Sequence, residues 1–290
     1  MTFHKEIPFT KMHGIGNSYI YLNLFEMSYD EEIFSQLAID ISNVNTGIGS
    51  DGLILIHPSH RADVGMRIFN KDGSEGQSCG NGLRCVAHYV YMKGIVSSKN
   101  ISIETKAGIV HAEVLGNDRC INSIKVDMGK PLLRRSQIPM LGRMDDVVVA
   151  ESFPLHEHTL EVTALFLGNP NAVFFVDSIE KAPLDELGSL ISNDHRFPDR
   201  VNVEFVEIVT ETELNFRVWE RGSGITEACG SGACAAVVAS ILNGHVERNK
   251  DILVHLSGGD LTIRWAENGH VWMTGLAEAT VEGIYFWGIN

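Results

Sequence analysis

Two cysteines stand in matched settings. Residues 66–82 (MRIFNKDGSEGQSCGNG) and 216–232 (FRVWERGSGITEACGSG) align without a gap at a constant offset of 150. The alignment brings Arg67 onto Arg217, Lys71 onto Arg221, Cys79 onto Cys229, Gly80 onto Gly230 and Gly82 onto Gly232. In each copy a polar, glycine-rich loop ends at the cysteine and a helical pattern begins. Backbone N–H groups in the first turn of a helix have no intrahelical acceptor, and the helix dipole adds positive potential there. Such a setting favours a thiolate and draws the thiol pKa down toward neutrality. The same amides can hold a carboxylate, and glycine lets it approach the backbone closely. Each copy therefore offers one proton carrier and one anion cradle. Two such thiols on opposite sides of an amino acid could invert its α-carbon. One thiolate would take the α-hydrogen and the opposite thiol would deliver a hydrogen to the other face. The helix ends would stabilise the charge that develops on the carboxylate. The scheme needs no cofactor and no metal.

The elements around the cysteines repeat as well. An extended run (VGMRIFN; LNFRVWER) leads into each loop. After each cysteine comes a helix: Leu83, Val86, Ala87, Val90 and Tyr91 recur at helical spacing, and Ala233 to Leu242 is apolar almost all round, the mark of a buried helix. Gly94 and Gly244 follow the two helices, then the alternating runs ISIETKAGIVHAEV and ILVHLSGGDLTIRW. Gly16-Asn17 matches Gly168-Asn169, and lesser helices fall near 30–42 and 183–192. The pattern predicts an α+β protein of two pseudo-symmetric domains. Each is a mainly antiparallel, barrel-like sheet wrapped around a buried central helix, with the active site in the cleft between them. The predicted boundaries are 1–124 plus a returning tail at 276–290, and 125–275.

Composition narrows the partners. The chain has 290 residues, 44% of them hydrophobic, enough for a core in each half, and its net charge is −14. So acidic a surface repels phosphate backbones and anionic lipid, which argues against nucleic acid and membrane. Five cysteines are too few, and odd in number, for a disulfide framework. With no basic segment leading into an apolar core at the start, the sequence reads as cytoplasmic. Cys85, Cys120 and Cys234 read as packing residues, His13 as structural, and His156 and His158 as solvent-exposed. Residues 47–52 (GIGSDG) imitate a dinucleotide loop, but the strand GLILIH follows where a helix is required, so they read as a turn.

The segments KMHGIGNSYIYL, FNKDGSEGQSCGNGLRC, GNPN, RVNVEF and ERGSGITEACGSGACAA resemble the motifs of the diaminopimelate epimerase family, from about residue 9 to the C-terminus. The resemblance implies a pyridoxal-independent interconversion of LL- and meso-2,6-diaminopimelate, on the way to lysine and peptidoglycan, by a cytoplasmic homodimer. It implies Cys79 and Cys229 as the acid/base pair with Glu220 beside them. Asn17, Asn70, Asn169, Asn202, Glu220 and Arg221 would contact substrate, and the backbone of Gly80-Asn81 and Gly230-Ser231 would hold the carboxylate at the reacting carbon. Arg221 suits a distal carboxylate. Two positions depart from the family pattern. Asn171 stands where the family usually has a histidine that helps to poise a thiol, and Gly52 stands where it often has glutamine. The departures leave open a racemase of another amino acid, of histidine or proline type. A thiol redox protein and a non-catalytic binding protein are the alternatives of other classes.

Overall fold

The computed structural model describes residues 4–77, 79–117, 120–155 and 158–288. The expectations for His156 and for the side chains of His158 and Cys120 lie outside what the structure describes. The chain divides into two compact units, residues 1–126 with 275–290, and residues 127–274.

The first unit runs β1 (His4–Gly14), β2 (Asn17–Asn23), α1 (Phe34–Ser42), β3 (Gly52–His57), β4 (Val64–Asn70), β5 (Glu75–Gly76), α2 (Gly80–Met92), β6 (Asn100–Thr105), β7 (Gly108–Asn117) and β8 (Cys120–Asp127). Antiparallel pairs dominate (β1–β2, β3–β4, β6–β7, β7–β8). The two parallel pairs, β2–β3 and β4–β6, are those joined through α1 and α2. A parallel neighbour needs such a crossover, because a tight hairpin reverses the chain.

The second unit repeats the plan. It runs β9 (Val148–Leu155), β10 (His158–Leu167), β11 (Asn169–Phe175), α3 (Leu184–Ser192), β12 (Asn202–Thr210), β13 (Glu213–Glu220), β14 (Gly224–Ile225), α4 (Gly230–Leu242), β15 (Ile252–Leu256), β16 (Gly259–Trp265) and β17 (Val271–Gly275). Its parallel pairs, β11–β12 and β13–β15, are again joined through helices, α3 and α4. The chain then returns to the first unit with β18 (Glu278–Gly288), antiparallel to β1. The duplication is visible in lengths: α1 and α3 have nine residues each, α2 and α4 thirteen.

The central helices are buried as their sequences require. Ala233 through Ala239 are wholly buried, with strands β10, β11, β12, β13 and β16 around them. Alanine and valine give a narrow cylinder that strands can approach from every side, and alanine also favours the helix itself. In α2, Leu83, Cys85, Val86, Ala87 and Val90 are buried. Cys85 and Cys234 are packing residues, and burial pushes the Cys85 thiol up to about 11. Both helices stop in the same way. Gly94 (φ +68°) and Gly244 (φ +76°) take the left-handed conformation, and the following residues, Ile95 and His245, donate back to Val90 and Ser240. Glycine has no Cβ to oppose that turn, so the stop is written in the sequence. Among the described residues no helix is long and apolar enough to cross a membrane.

Candidate active site

In the first unit Cys79 caps α2. Its backbone is extended (φ −146°, ψ 117°), and the Gly82 N–H donates to Sγ at 3.5 Å. The sulfur therefore sits where the first-turn amides converge. The thiol is 3.8 Å from Asn17 Oδ1, which also accepts from Asn81 Nδ2 at 3.2 Å. Asn17 is turned this way by a residue the sequence reading passed over. The Asp51 carboxylate accepts from Asn17 Nδ2 and from the Ser18 N–H, both at 2.8 Å. Asp51 belongs to the segment GIGSDG, an irregular loop with bends at Gly47 and Asp51 that leads into β3. Its match to Asn17 is a long-range one that turn chemistry does not announce. Asn70 ends β4 and donates from Nδ2 to Ser74 Oγ at 3.0 Å. His13 has the structural part expected: its Nδ1 accepts from Gly16 N–H at 3.3 Å, and Nε2 lies 3.5 Å from Glu278.

Replacing Asp51 by Ala should release Asn17 to rotate away from Cys79. Because small misplacements near reacting atoms are costly, kcat/KM should fall about 10-fold. Asp51→Asn keeps an acceptor for both donors and should retain most activity. Steady-state rates for the two variants check this; equal losses would remove the orienting role.

Gly52 has a backbone that explains the departure at this position. Its φ is +157°, and a Cβ there would lie 2.1 Å from the Phe69 carbonyl oxygen. No glutamine side chain fits without moving the β3–β4 pair. Gly52→Ala should lower the unfolding free energy by about 3 kcal/mol. A urea titration showing a loss below about 1 kcal/mol would mean the strand yields.

In the second unit Cys229 caps α4 in the same way (φ −118°, ψ 104°), with the Gly232 N–H 3.4 Å and Ser231 Oγ 3.5 Å from Sγ. Gly230 and Ser231 supply the first-turn amides, as Gly80 and Asn81 do in α2. Glu220, the last residue of β13, accepts from Thr226 Oγ1 at 2.5 Å. Arg221 is braced on three sides. Its Nη2 donates to Asn169 Oδ1 and its Nη1 to the Asp199 carbonyl, each at 3.0 Å, while Asn202 Oδ1 accepts its backbone N–H at 3.0 Å. The structure thus joins Asn169, Asn202 and the exposed Arg221 in one network. Asn171 is buried on β11 and donates from Nδ2 to the Asn169 carbonyl at 2.6 Å.

One expectation is reversed here. The helix end was expected to draw the Cys229 thiol down, but its pKa is held well above the usual thiol range. Burial is the largest cause, followed by the charge of Glu220 and then, less strongly, that of Glu204; the Ser231 and Gly232 hydrogen bonds oppose these only in part. Cys229 is 5% exposed, and removing a thiolate from water outweighs a helix dipole that favours it. Glu204 is the second residue that sequence reasoning missed. It is wholly buried on β12, neither carboxyl oxygen has a hydrogen-bond partner in normal geometry, and its pKa is raised well above the carboxylate range, chiefly by burial.

The fold places the protein in a structural class first. It is shared with a PhzF-family phenazine biosynthesis protein from Bacillus anthracis (TM-score 0.70, 15% identity, 97% of this chain and 99% of that one). It is shared also with a hydroxyproline epimerase from Agrobacterium vitis (TM-score 0.67, 14% identity, 98% and 92%). These likenesses show the fold that the chain shares with them. The family model described as diaminopimelate epimerase matches residues 9–133 and 163–280. The diaminopimelate epimerase of Oceanobacillus iheyensis is 60% identical over 282 residues, 97% of this chain and 99% of that protein. That of Bacillus cereus is 56% identical over 285 residues, 98% and 99%. The chain belongs to the diaminopimelate epimerase family and is an isomerase acting on amino acids.

Proposed function

We propose that the enzyme interconverts LL- and meso-2,6-diaminopimelate by proton transfer between the substrate α-carbon and the thiols of Cys79 and Cys229. The observation that carries this reading is the repeated cap. In both units a cysteine precedes the central helix and takes a hydrogen bond from the amide three residues on. In one direction Cys79, as thiolate, takes the α-hydrogen, forming S–H as C–H breaks. Cys229, which starts as the thiol, gives its hydrogen to the opposite face. The first-turn amides of Gly80-Asn81 and Gly230-Ser231 carry the reacting carboxylate and gain strength as negative charge grows on it. Asn17, Asn70, Asn169, Asn202 and Glu220 provide acceptors for the ammonium groups, and Arg221 meets the distal carboxylate as a fork. The raised pKa of Cys229 agrees with a proton donor, since a donor must hold its proton until the carbanion forms.

The test is exchange of the α-hydrogen in deuterated water over a panel holding diaminopimelate stereoisomers, proline, histidine and glutamate. Exchange and inversion of diaminopimelate are expected. Exchange confined to another member of the panel would reassign the substrate, and the departures at Asn171 and Gly52 make that arm worth running. An oxidised form more active than the reduced one would favour a thiol redox protein instead. Cys85 and Cys229 carry free thiols, which suits a reducing cytoplasm, the compartment in which lysine and peptidoglycan precursors would be supplied. A homodimer is the assembly the family resemblance implies; a sedimentation mass equal to the 32.0 kDa chain would overturn it.

A further inference from the structure

Glu204 has no part in the reading above, yet its placement is specific. Strands β11 and β12 run parallel with Asn171 opposite Asn202 and Val173 opposite Glu204, and on the other side Glu204 faces Val218 of β13. Glu204 therefore shares a strand face with Asn202, two residues earlier, and helix α4 packs against the same strand. A Cβ on Gly232 would lie 3.0 Å from Glu204 Oε1 and 3.3 Å from Cys229 Sγ. The acid and the thiol thus flank one bare glycine Cα in the first turn of α4. Among the described residues no cation acts on either group. Glu220 on β13 is the charged neighbour that acts on Glu204, and Asn171 and Val173 on β11 are neutral. The backbone N–H groups of Ala172 and of Glu204 itself favour the charged form, less than burial and Glu220 oppose it, and a carboxyl wholly out of water beside another carboxylate is stable in its neutral form.

We propose that Glu204 is a proton-holding positioning residue for Cys229, donating a hydrogen bond from its neutral carboxyl to Sγ once that sulfur has given its hydrogen to the substrate. In the step the S–H bond breaks and the C–H bond forms. The Glu204 proton stays on oxygen throughout, and an O–H···S⁻ hydrogen bond adds a donor to those of the Gly232 N–H and the Ser231 hydroxyl. Glu220 already accepts a hydrogen bond from Thr226. Gly232 is the residue that leaves room for the contact. The inference rests on Cys229 acting as a proton carrier, as proposed above, and goes beyond it in assigning Glu204.

The test uses Glu204→Gln and Glu204→Leu in the whole enzyme. Gln keeps a donor and cannot ionise; Leu keeps the bulk and has no donor. The first measurement is alkylation of Cys229 by iodoacetamide in substrate-free protein, followed by peptide mass spectrometry across about pH 6 to 10. With its donor removed, Cys229 in the Leu variant should react at least about 3-fold more slowly near pH 8 than in the parent, whereas the Gln variant, which keeps a donor, should stay within about 2-fold of it. The second is the pH dependence of turnover. The donor form of Glu204 exists below its raised pKa and is lost as pH rises through it, so the parent should show an alkaline fall that the Gln variant lacks. Near pH 7 Leu should lower kcat about 10-fold and Gln less than about 3-fold, with KM changed little in either. Alkylation of the Leu variant as fast as the parent or faster, or equal losses in both variants with an unaltered pH profile, would overturn the assignment. If the parent does not turn over diaminopimelate, the proposed substrate fails, and the alkylation result still decides Glu204.

Discussion

Replacing either Cys79 or Cys229 by Ala should lower the rate of configurational inversion by about 10³-fold or more while the fold persists. Positioned acid or base groups are each worth roughly 10² to 10⁴ in rate, and inversion needs one on each face. The structural cost is small, because an amide-to-sulfur hydrogen bond of 3.4–3.5 Å at each cap and a long side-chain contact, with Asn17 at Cys79 and with Ser231 at Cys229, are weak contacts to lose. Loss of an N-cap acceptor costs about 1 kcal/mol, within what an ordinary domain can absorb. The two variants should also differ from each other. With one thiol left, exchange of the α-hydrogen can continue for the configuration that presents its hydrogen to that thiol, while inversion stops. Proton NMR in deuterated water on LL- and meso-substrate reads both quantities together. Because the thiols act as a unit, the double variant should be little worse than either single one. Full inversion in Cys79→Ala would end the two-thiol mechanism.

Arg221→Ala should raise KM about 10- to 100-fold, the range expected for losing hydrogen bonds to a charged group worth roughly 1.5–3 kcal/mol. The guanidinium is already held by Asn169, the Asp199 carbonyl and the Asn202-bound backbone. It therefore loses little freedom on binding, and removing it sacrifices a prepared contact. Since the distal carboxylate lies away from the reacting carbon, most of the loss should fall on KM, with a smaller fall in kcat if remote binding also positions the α-carbon. Lysine should restore charge without restoring the fork, so Arg221→Lys should recover only part of the affinity. The check is the pair of kinetic constants for all three proteins. An unchanged KM in the Ala variant would show that Arg221 is not the distal-carboxylate contact.

Residues two apart on one strand show why part of the site was legible and part was not. Asn202 was marked by the family motif. Glu204 lies on the same face two positions later and was passed over, because NVEFVEIV reads as a strand with Val203 and Phe205 inward and its polar residues outward. In the fold all of Asn202 through Val206 are buried, since α4 lies against the face the pattern would leave to water. Stepping by two from Asn202 was the one signal that could have found Glu204. Asp51 was hidden differently. Its loop was recognised, yet its partner Asn17 is 34 residues away, and nothing local specifies that pairing.

What the sequence determined by itself is local and periodic. The repeat at constant offset, the two capping cysteines, the buried alanine-rich helix and the glycine stops at 94 and 244 all follow from the geometry of a few neighbouring residues. Tertiary structure alone decided what surrounds those residues. It buried Cys229 beside two carboxyls and turned its thiol upward in pKa where the helix end by itself would turn it down. It aimed Asn17 through Asp51, and it closed the space at Gly52 with the Phe69 carbonyl. The physical reason is that hydration and charge interactions depend on every neighbour in three dimensions, most of them distant in the chain, whereas helix caps and turns depend on residues three or four apart.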